Sequence, residues 1–442
     1  MIMLGSRGAE MGERTRFRRS KEGWRRGAEP FRRRFRARAG DDNIAQQNLP
    51  AFIAADFFCG AGGTTRGLID AGGHVIAGID KERRCERTYV ENNTNEHGET
   101  TRPAYLIRDI FPKTDEYPDG EQEELAVELR ELIGKARARY PNVPLLFAIC
   151  APCQPFTTVS RYPMSKARLE KRVRDSDLLR AALVFVKEHK PELVLSENVA
   201  GISDPRFGGI WQEFQQELQK LGYATGTQAV CASRFGIAQR RKRSILLAVR
   251  HDRVAPDQLN LSGELIVPEA DPQASAMKVA DVIGHLPALG AGQAHPTIPN
   301  HRTRRLSDLN LKRLKAAKPG ETNRYMLDTE FGDLSLDCHR RVNAKLKTRG
   351  FNDVYTRMRP DGLSPTITTR SHSICNGRFG HYDTGQIRGI SLREAAAIQS
   401  FKDDYVFYPT DQLEQVSRMI GNAVPPKLAW FFADYLVRSL RA

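Results

Sequence analysis

The chain has 442 residues, of which 40% are hydrophobic, so it can bury a core large enough for a catalytic domain and a smaller second domain. Its seven cysteines are an odd number without framework spacing, which excludes a disulfide scaffold and predicts a reducing, cytoplasmic setting. Because there is no run of eighteen apolar residues and no apolar signal core, we expect no membrane contact and no secretion. The net charge of +15 favours a polyanionic partner, most often nucleic acid.

Most of this charge lies in an N-terminal tail. Residues 1–40 contain thirteen basic residues against four acidic ones and show no apolar periodicity, so we predict that residues 1–49 are disordered. Two interpretations stay open. The tail could be a non-specific DNA-binding arm, or an upstream stretch without function that is translated from an alternative start.

The first predicted strand, residues 51–58, runs into a glycine-rich turn and a helix over 64–71. Glycines at such a turn let the backbone approach a ligand closely, although a merely tight turn is the alternative. The turn lacks the dinucleotide fingerprint, because position 65 is Thr rather than Gly. A second strand over 74–79 ends in Asp80, about twenty positions past the glycines, where a ribose hydroxyl is usually bound.

A third strand, residues 104–107, precedes Asp109 and Ile110. An acid followed by an aliphatic residue at this strand end could hold an adenine amino group and ring face, whereas a lone Asp could simply cap a helix. Leucines and Ile133 recur at helical spacing over 119–140, which predicts an amphipathic helix.

The central motif follows a short apolar strand, residues 145–148, and contains Cys150, Pro152, Cys153 and Pro155. A redox dithiol or half of a zinc site is the alternative interpretation, but no second cysteine pair has ligand spacing and Pro155 argues against a helix start. We therefore favour a single nucleophilic thiolate at Cys153, with Cys150 buried in the strand, and we expect no metal.

The rest of the chain alternates ordered and weakly patterned segments. We predict a basic loop over 160–174, a helix over 176–187, and a strand over 192–196 that presents Glu197 to the same crevice as Cys153. Alternate residues Gln239, Arg241 and Arg243 share one face if that stretch is extended. The pattern weakens over 251–350, and a helix with a capping box returns at 391–399. An amphipathic helix follows Asn422 and extends to the C-terminus.

Together these motifs resemble the DNA (cytosine-5) methyltransferase family in its bacterial restriction-modification form, over residues 52 to 440. The matching stretches, in order, are Asp56-Phe-Phe58-Cys-Gly60-Ala-Gly62-Gly63, Pro152-Cys153-Gln154-Pro155-Phe156, Glu197-Asn198-Val199, Gln239-x-Arg241-x-Arg243 and Gly421-Asn422-Ala-Val-Pro. Ala151 stands where a bulkier residue is common and Thr157 replaces a common Ser, but no catalytic group is missing.

The resemblance implies S-adenosylmethionine as methyl donor, a cytosine in double-stranded DNA as acceptor and no metal. By position, Phe58 would stack on the adenine beside the Gly60, Gly62 and Gly63 loop, Asp80 would bind the ribose, Asp109 and Ile110 the adenine, and Asn422 would lie near the cofactor. Cys153 would attack C6 of the base, Glu197 would hold N3, and Arg243 with Arg241 would steady the base and the nucleophile.

The implied fold is α/β, a doubly wound Rossmann-like methyltransferase sheet with a smaller, irregular target-recognition domain. We assign residues 50–250 and 356–442 to the catalytic domain and 251–355 to target recognition. We expect a monomer, with a cognate restriction endonuclease as a possible separate partner. The competing hypotheses are an RNA methyltransferase of the same fold, a catalytically silent DNA-binding protein and an NAD-linked dehydrogenase, against which Thr65 counts.

Overall fold

A computed structural model of the protein describes residues 49–152, 166–203, 209–337, 340 and 352–441, with the backbone alone over 166–176. The described residues from Pro50 onward belong to one compact unit. The N-terminal tail over 1–48 lies outside the described residues, and so does Cys153. No helix in the described part of the chain is long and apolar enough to cross a membrane.

A mixed sheet of seven described strands forms the centre of the fold, in the order β3-β2-β1-β4-β5-β7-β6. Strands β1 to β5 run parallel, and β7 runs antiparallel to both of its neighbours. This arrangement confirms the doubly wound α/β fold expected from the sequence. The strands are β1 Phe52–Phe57, β2 Gly73–Asp80, β3 Ala104–Ile107, β4 Leu145–Ile149, β5 Leu193–Val199, β6 Tyr223–Cys231 and β7 Lys242–Arg250.

Helices cover both faces of this sheet, as the buried apolar runs of its parallel strands require. The described α-helices are α1 Gly63–Asp70, α2 Glu86–Asn92, α3 Gln122–Arg139, α4 Lys166–His189, α5 Ile210–Lys220, α6 Val279–Ile283, α7 Asp308–Ala316, α8 Leu392–Ile398, α9 Leu413–Asn422 and α10 Pro426–Arg438. One core contains residues of α3, α4 and α5. The opposite core contains residues of α1 and α10, so the last of the described helices packs near the first.

Two helices differ from the sequence predictions: one is longer than predicted, and the other was not predicted. Helix α4 begins at Lys166, so the loop predicted over 160–174 is wrong from residue 166 onward, and residues 160–165 lie outside the described part. Lys, Arg, Leu and Glu fill this stretch, and their high helix propensity outweighs the scarcity of apolar residues. Helix α9, which the sequence analysis missed, places Asn422 at its last position.

The weakly patterned region between β7 and α8 consists of short helices and isolated bridges around a third core. Buried arginines organise it. The side chain of Arg357 is fully buried and donates hydrogen bonds to the carbonyls of Leu314, His381, Asp383 and Gln386. One guanidinium therefore ties the end of α7 to the irregular stretch over 381–386 and satisfies carbonyl groups of both.

A second buried arginine completes this region. Arg388 forms a bidentate ion pair with Glu394, at 2.7 Å for both hydrogen bonds. Burial acts to raise the pKa of Glu394, but the hydrogen bonds and charge of Arg388 outweigh it and lower that pKa. Glu394 also accepts from the backbone of Ser391, which completes the capping box predicted for α8.

Candidate active site

The main cavity lies where the sheet changes its winding direction. Strand β1 is flanked by β2 on one side and by β4 on the other, so the loops after β1 and β4 diverge and leave a crevice at the carboxyl ends of the strands. A cavity of about 1370 Å³ opens there. Of the residues singled out from the sequence, it is lined by Phe58, Gly60, Gly63, Asp80, Glu197, Arg241, Arg243 and Asn422.

The loop after β1 has a backbone that few residues tolerate. Phe58 has φ +61°, in the left-handed region, and Gly60 follows at +50°. The amide of Gly60 donates to Oδ2 of Asp80 at 2.8 Å, and the amide of Glu82 donates to Oδ1 at the same distance. Burial raises the pKa of Asp80, while these two bonds oppose the shift. The carboxylate of Asp80 is thus fixed at the cavity wall by the loop itself.

The two later glycines permit close packing of the backbone. A Cβ on Gly62, which has φ +88°, would lie 2.4 Å from Nδ2 of Asn93. A Cβ on Gly63 would lie 2.5 Å from the carbonyl oxygen of Val424. Gly62 does not line the cavity. The hydroxyl of Tyr405 donates to the carbonyl of Ala61, so the loop is also held from beneath.

Asp109 and Ile110 do not line the cavity. The side chain of Ile110 is buried in the core beneath α3 and α4. Oδ2 of Asp109 lies 3.5 Å from Nζ of Lys81, which does line the cavity, and its other oxygen accepts from the amide of Phe111. Asp109 and Ile110 therefore lie near the cavity but do not form part of its wall.

The turn after β4 forms the opposite wall. Cys150, Ala151 and Pro152 line the cavity, and Cys153 follows directly but lies outside the described residues. The side chain of Asn198 donates to the carbonyl of Ala151 at 3.1 Å, and Ser196 donates to the carbonyl of Ile149. The sequence analysis missed these two braces, although their alternation along β5 places both on one face of the strand.

Glu197 and Arg243 form a charge contact inside the cavity. Their side chains lie on β5 and at the start of β7, with Nε of Arg243 2.7 Å from Oε1 of Glu197 and about a tenth of each side chain exposed. Contact between opposite charges at such low exposure is weakly screened by solvent and salt. The pair is therefore a fixed polar element of the cavity wall.

Arg241 lies beside this pair but contacts backbone. Its Nη1 donates to the carbonyl of Ile367 at 3.2 Å and its Nη2 to the carbonyl of Ala423 at 3.1 Å. Gln239 accepts from the amide of Ile367 at 2.9 Å, so both backbone groups of that residue are held. Gln239, Arg241 and Arg243 are all buried, whereas Arg240 and Lys242 are exposed. This pattern confirms that the alternate residues share one face.

Helix α9 forms a further wall, through Gln415, Arg418, Met419 and Asn422. Their spacing of three and four places them on one side of the helix. Apolar Val416, buried on another side of the helix, was a signal that the sequence analysis did not use.

A buried acid beneath the glycine loop was also missed. Asp56 is completely buried at the end of β1, and Thr65 donates to its Oδ2 at 2.6 Å. Burial raises the pKa of Asp56 to about 7, although the hydrogen bonds from Thr65 oppose this. An acid inside the otherwise apolar strand Phe-Ile-Ala-Ala-Asp-Phe was the available sequence signal. No cluster of three or more potential metal ligands occurs among the described residues.

The sheet order and the position of the cavity define the fold of the S-adenosylmethionine-dependent methyltransferases. A solved prophage-encoded protein from E. coli, described as a DNA modification methyltransferase, shares this fold with a TM-score of 0.58. The two chains are 19% identical, and the match covers 88% of this chain and 99% of the other.

The sequence comparisons identify the family within this fold. A profile of the family described as C-5 cytosine-specific DNA methylase matches residues 126–438. The chain is 33% identical over 388 residues to the Type II methylase M.HgiDII of Herpetosiphon aurantiacus, covering 87% of this chain and 95% of that one. It is 26% identical to the Type II methyltransferase M1.HphI of Haemophilus parahaemolyticus, over 87% and 86% of the two chains.

The chain therefore belongs to the C-5 cytosine-specific DNA methylases and is a DNA cytosine-5 methyltransferase. The dehydrogenase hypothesis is wrong.

Proposed function

We propose that the protein transfers a methyl group from S-adenosylmethionine to C5 of a cytosine that is flipped out of a short, specific duplex DNA sequence, through a covalent bond between Cys153 and C6. The observation that carries the proposal is the shared cavity. The Glu197–Arg243 pair lines the same cavity as Pro152, the residue directly before Cys153.

The wall beside the glycine loop fits the methyl donor, which would supply an electrophilic methyl group. The oxygens of Asp80 keep acceptor capacity beyond their bonds to Gly60 and Glu82, so they suit ribose hydroxyls. The ring of Phe58 offers an apolar face for adenine, and Asn422 lies on the wall formed by α9. We propose Asp109 and Ile110 as further adenine contacts, with Gly60, Gly62 and Gly63 shaping the loop.

Cytosine C5 is too weak a nucleophile to accept the methyl group unaided. The thiolate of Cys153 would form a bond to C6, and the electron pair of the C5–C6 double bond would shift to C5. C5 would then form a bond to the methyl carbon as the bond from that carbon to the donor's sulfur breaks, which leaves the donor as a neutral thioether. A base, such as water in the cavity, then takes the C5 proton, the electron pair of that C–H bond re-forms the C5–C6 double bond, and the sulfur leaves C6 as thiolate. When protonated, Glu197 favours the first step by giving that proton, or a hydrogen bond from its O–H, to N3.

The contacts of Arg243 suit a supporting role in this step. Its guanidinium is held by Glu197 on one side and by the carbonyl of Lys242 at 2.7 Å on another. A cation fixed in this way can steady the base while negative charge develops on the ring. Arg241 supports the same wall through the carbonyls of Ile367 and Ala423. The target carbon is inaccessible within a stacked duplex, so the base must be flipped into the cavity.

The remaining parts of the proposal concern organisation. We propose that residues 251–355 read the target sequence, that the protein acts as a cytoplasmic monomer, and that any cognate restriction endonuclease acts separately. The division into segments 50–250, 251–355 and 356–442 belongs to this proposal.

Base-resolution mapping of 5-methylcytosine tests the mechanism directly. DNA from cells that express the wild-type chain should carry methylation at one short motif, and Cys153→Ser should abolish it while binding of S-adenosylhomocysteine persists. Cys375→Ser is the matched control, because it removes an exposed thiol that does not line the cavity. Methylation retained by Cys153→Ser would refute the covalent mechanism.

A further inference from the structure

One short segment has the same net charge as the whole chain after the N-terminal tail. Residues 41–442 contain 55 basic and 49 acidic side chains, an excess of six. Residues 302–318, here called the basic segment, contain seven basic side chains and one acidic one, which is the same excess of six. The rest of the chain from 41 onward sums to zero net charge, so this segment is a local excess of positive charge that would attract a polyanion.

The basic segment presents five of its seven basic side chains to solvent. It contains helix α7, whose buried side carries Arg313 and Leu314. Lys312 and Lys315 lie on the exposed side of α7, and Arg305 and Lys318 flank the helix in exposed positions. None of these four forms an ion pair within the part of the chain that the structure describes.

Two of the lysines converge on one ring. The ammonium groups of Lys312 and Lys315 lie 6.0 and 5.1 Å from the centroid of Phe331. Like charges drawn to one ring repel each other, and the ring compensates them only in part. An anionic group between them would relieve this repulsion.

The segment also begins beside the active site. Arg304 is exposed, and its Nη1 lies 3.8 Å from Oε1 of Glu414, a residue of α9 that lines the main cavity. The basic segment therefore extends from the cavity wall out to α7.

We propose that the basic segment binds the phosphodiester backbone of duplex DNA and anchors it next to the cavity without reading its sequence. This inference rests on the proposed function for the identity of the polyanion. Each lysine that neutralises a phosphate releases counterions, so the contribution of the segment must appear in the salt dependence of DNA binding. Base readers, by contrast, would change the methylated motif when they are replaced.

The test is the triple substitution Lys312→Gln, Lys315→Gln and Lys318→Gln, which removes charge and keeps most of each side-chain stem. The matched control replaces Lys135, Lys187 and Lys220 with Gln; these exposed lysines already pair with glutamates on α3 and α5. Both variants lose three positive charges, so their net charges are equal. Thermal melting checks that both remain folded.

The readout is the dissociation constant for a DNA duplex, measured by fluorescence anisotropy over a range of salt concentrations. A plot of the logarithm of the association constant against log [salt] has a negative slope, and each lost phosphate contact reduces its magnitude by about 0.9. The magnitude of the slope should therefore fall by about 2 to 3 in the test variant. The control should keep the wild-type slope, and both variants should methylate the wild-type motif.

Equal slopes in the two triple variants would overturn the inference, as would a changed motif in the test variant. The same assay on an RNA duplex adds a further arm, since a slope change on RNA but not on DNA would also overturn it. A wild-type chain that methylates no DNA would refute the proposed function instead, and the slopes, which report binding alone, would still decide this inference.

Discussion

Arg241 was assigned to catalysis by its place in the sequence motif, but its contacts predict a role in cofactor binding. Its guanidinium holds the carbonyls of Ile367 and Ala423, and Ala423 directly follows Asn422 in the cavity wall. We expect Arg241→Lys to weaken binding of S-adenosylhomocysteine while leaving the capacity for chemistry largely intact.

The size of this effect follows from the hydrogen bonds. A lysine can retain the charge and one of the two bonds, so one charge-assisted hydrogen bond is lost, which contributes about 2 kcal/mol. The carbonyl of Ala423 keeps Nε2 of Gln399 as a more distant donor, at 3.4 Å, which limits the loss. If half to all of this energy appears in ligand binding, affinity falls by about 5- to 30-fold.

Isothermal titration calorimetry with S-adenosylhomocysteine measures this directly, without DNA. Arg240→Lys is the matched control, because the side chain of Arg240 is exposed and should leave affinity unchanged. Arg243→Lys should bind the ligand normally and lose turnover, because Arg243 contacts Glu197 instead. Unchanged affinity in Arg241→Lys, or an equal loss in Arg243→Lys, would refute the reasoning.

Three further outcomes are expected. Gly421→Ala should lower the free energy of unfolding by about 1–3 kcal/mol in urea denaturation, because its Cβ would lie 2.3 Å from the carbonyl carbon of Thr368. Gly134→Ala, with nothing within 4 Å, should raise it by about 0.5–1 kcal/mol, and the opposite order would contradict this packing argument. Burial lowers the pKa of His381 from 6.5 to about 4, so the unfolded state binds the proton more readily and acidification from pH 6.5 to 4 should remove up to about 3 kcal/mol. His381→Gln should flatten that part of the stability curve, and an unaltered curve would exclude this histidine as the cause. Deleting residues 1–45 should leave the methylated motif unchanged and weaken DNA binding only in a salt-dependent way; a new motif would show that the tail reads sequence.

The strands and turns around the cavity were predictable because their signals are local. Buried parallel strands appear as short apolar runs, and the ends of β1, β2 and β4 were marked by glycine, Asp80 and proline. The two-residue period of an extended chain correctly placed Gln239, Arg241 and Arg243 on one face.

The partners of those side chains were not predictable, because they lie far away in the sequence. Arg241 contacts carbonyls 126 and 182 residues further along the chain, and no local pattern records such a pairing. The contacts within the irregular region were not predictable for a related reason. From its charge alone, Arg357 is expected to be exposed to solvent. In the fold its side chain is completely buried among carbonyl groups.

The contact between α1 and α10 has a consequence for the synthesis of the protein on the ribosome. A Cβ on Gly67 would lie 2.4 Å from the carbonyl of Pro426, so only a residue without a side chain lets α1 pack this closely against α10. Helix α10 is synthesised more than 350 residues after Gly67. When strands β1 to β7 have left the ribosome, one face of α1 is still uncovered. The cavity wall that contains Asn422 has not yet been synthesised. A nascent chain that stops before Pro426 therefore lacks the helix that covers α1, and one that stops before Leu413 also lacks the cavity wall formed by α9.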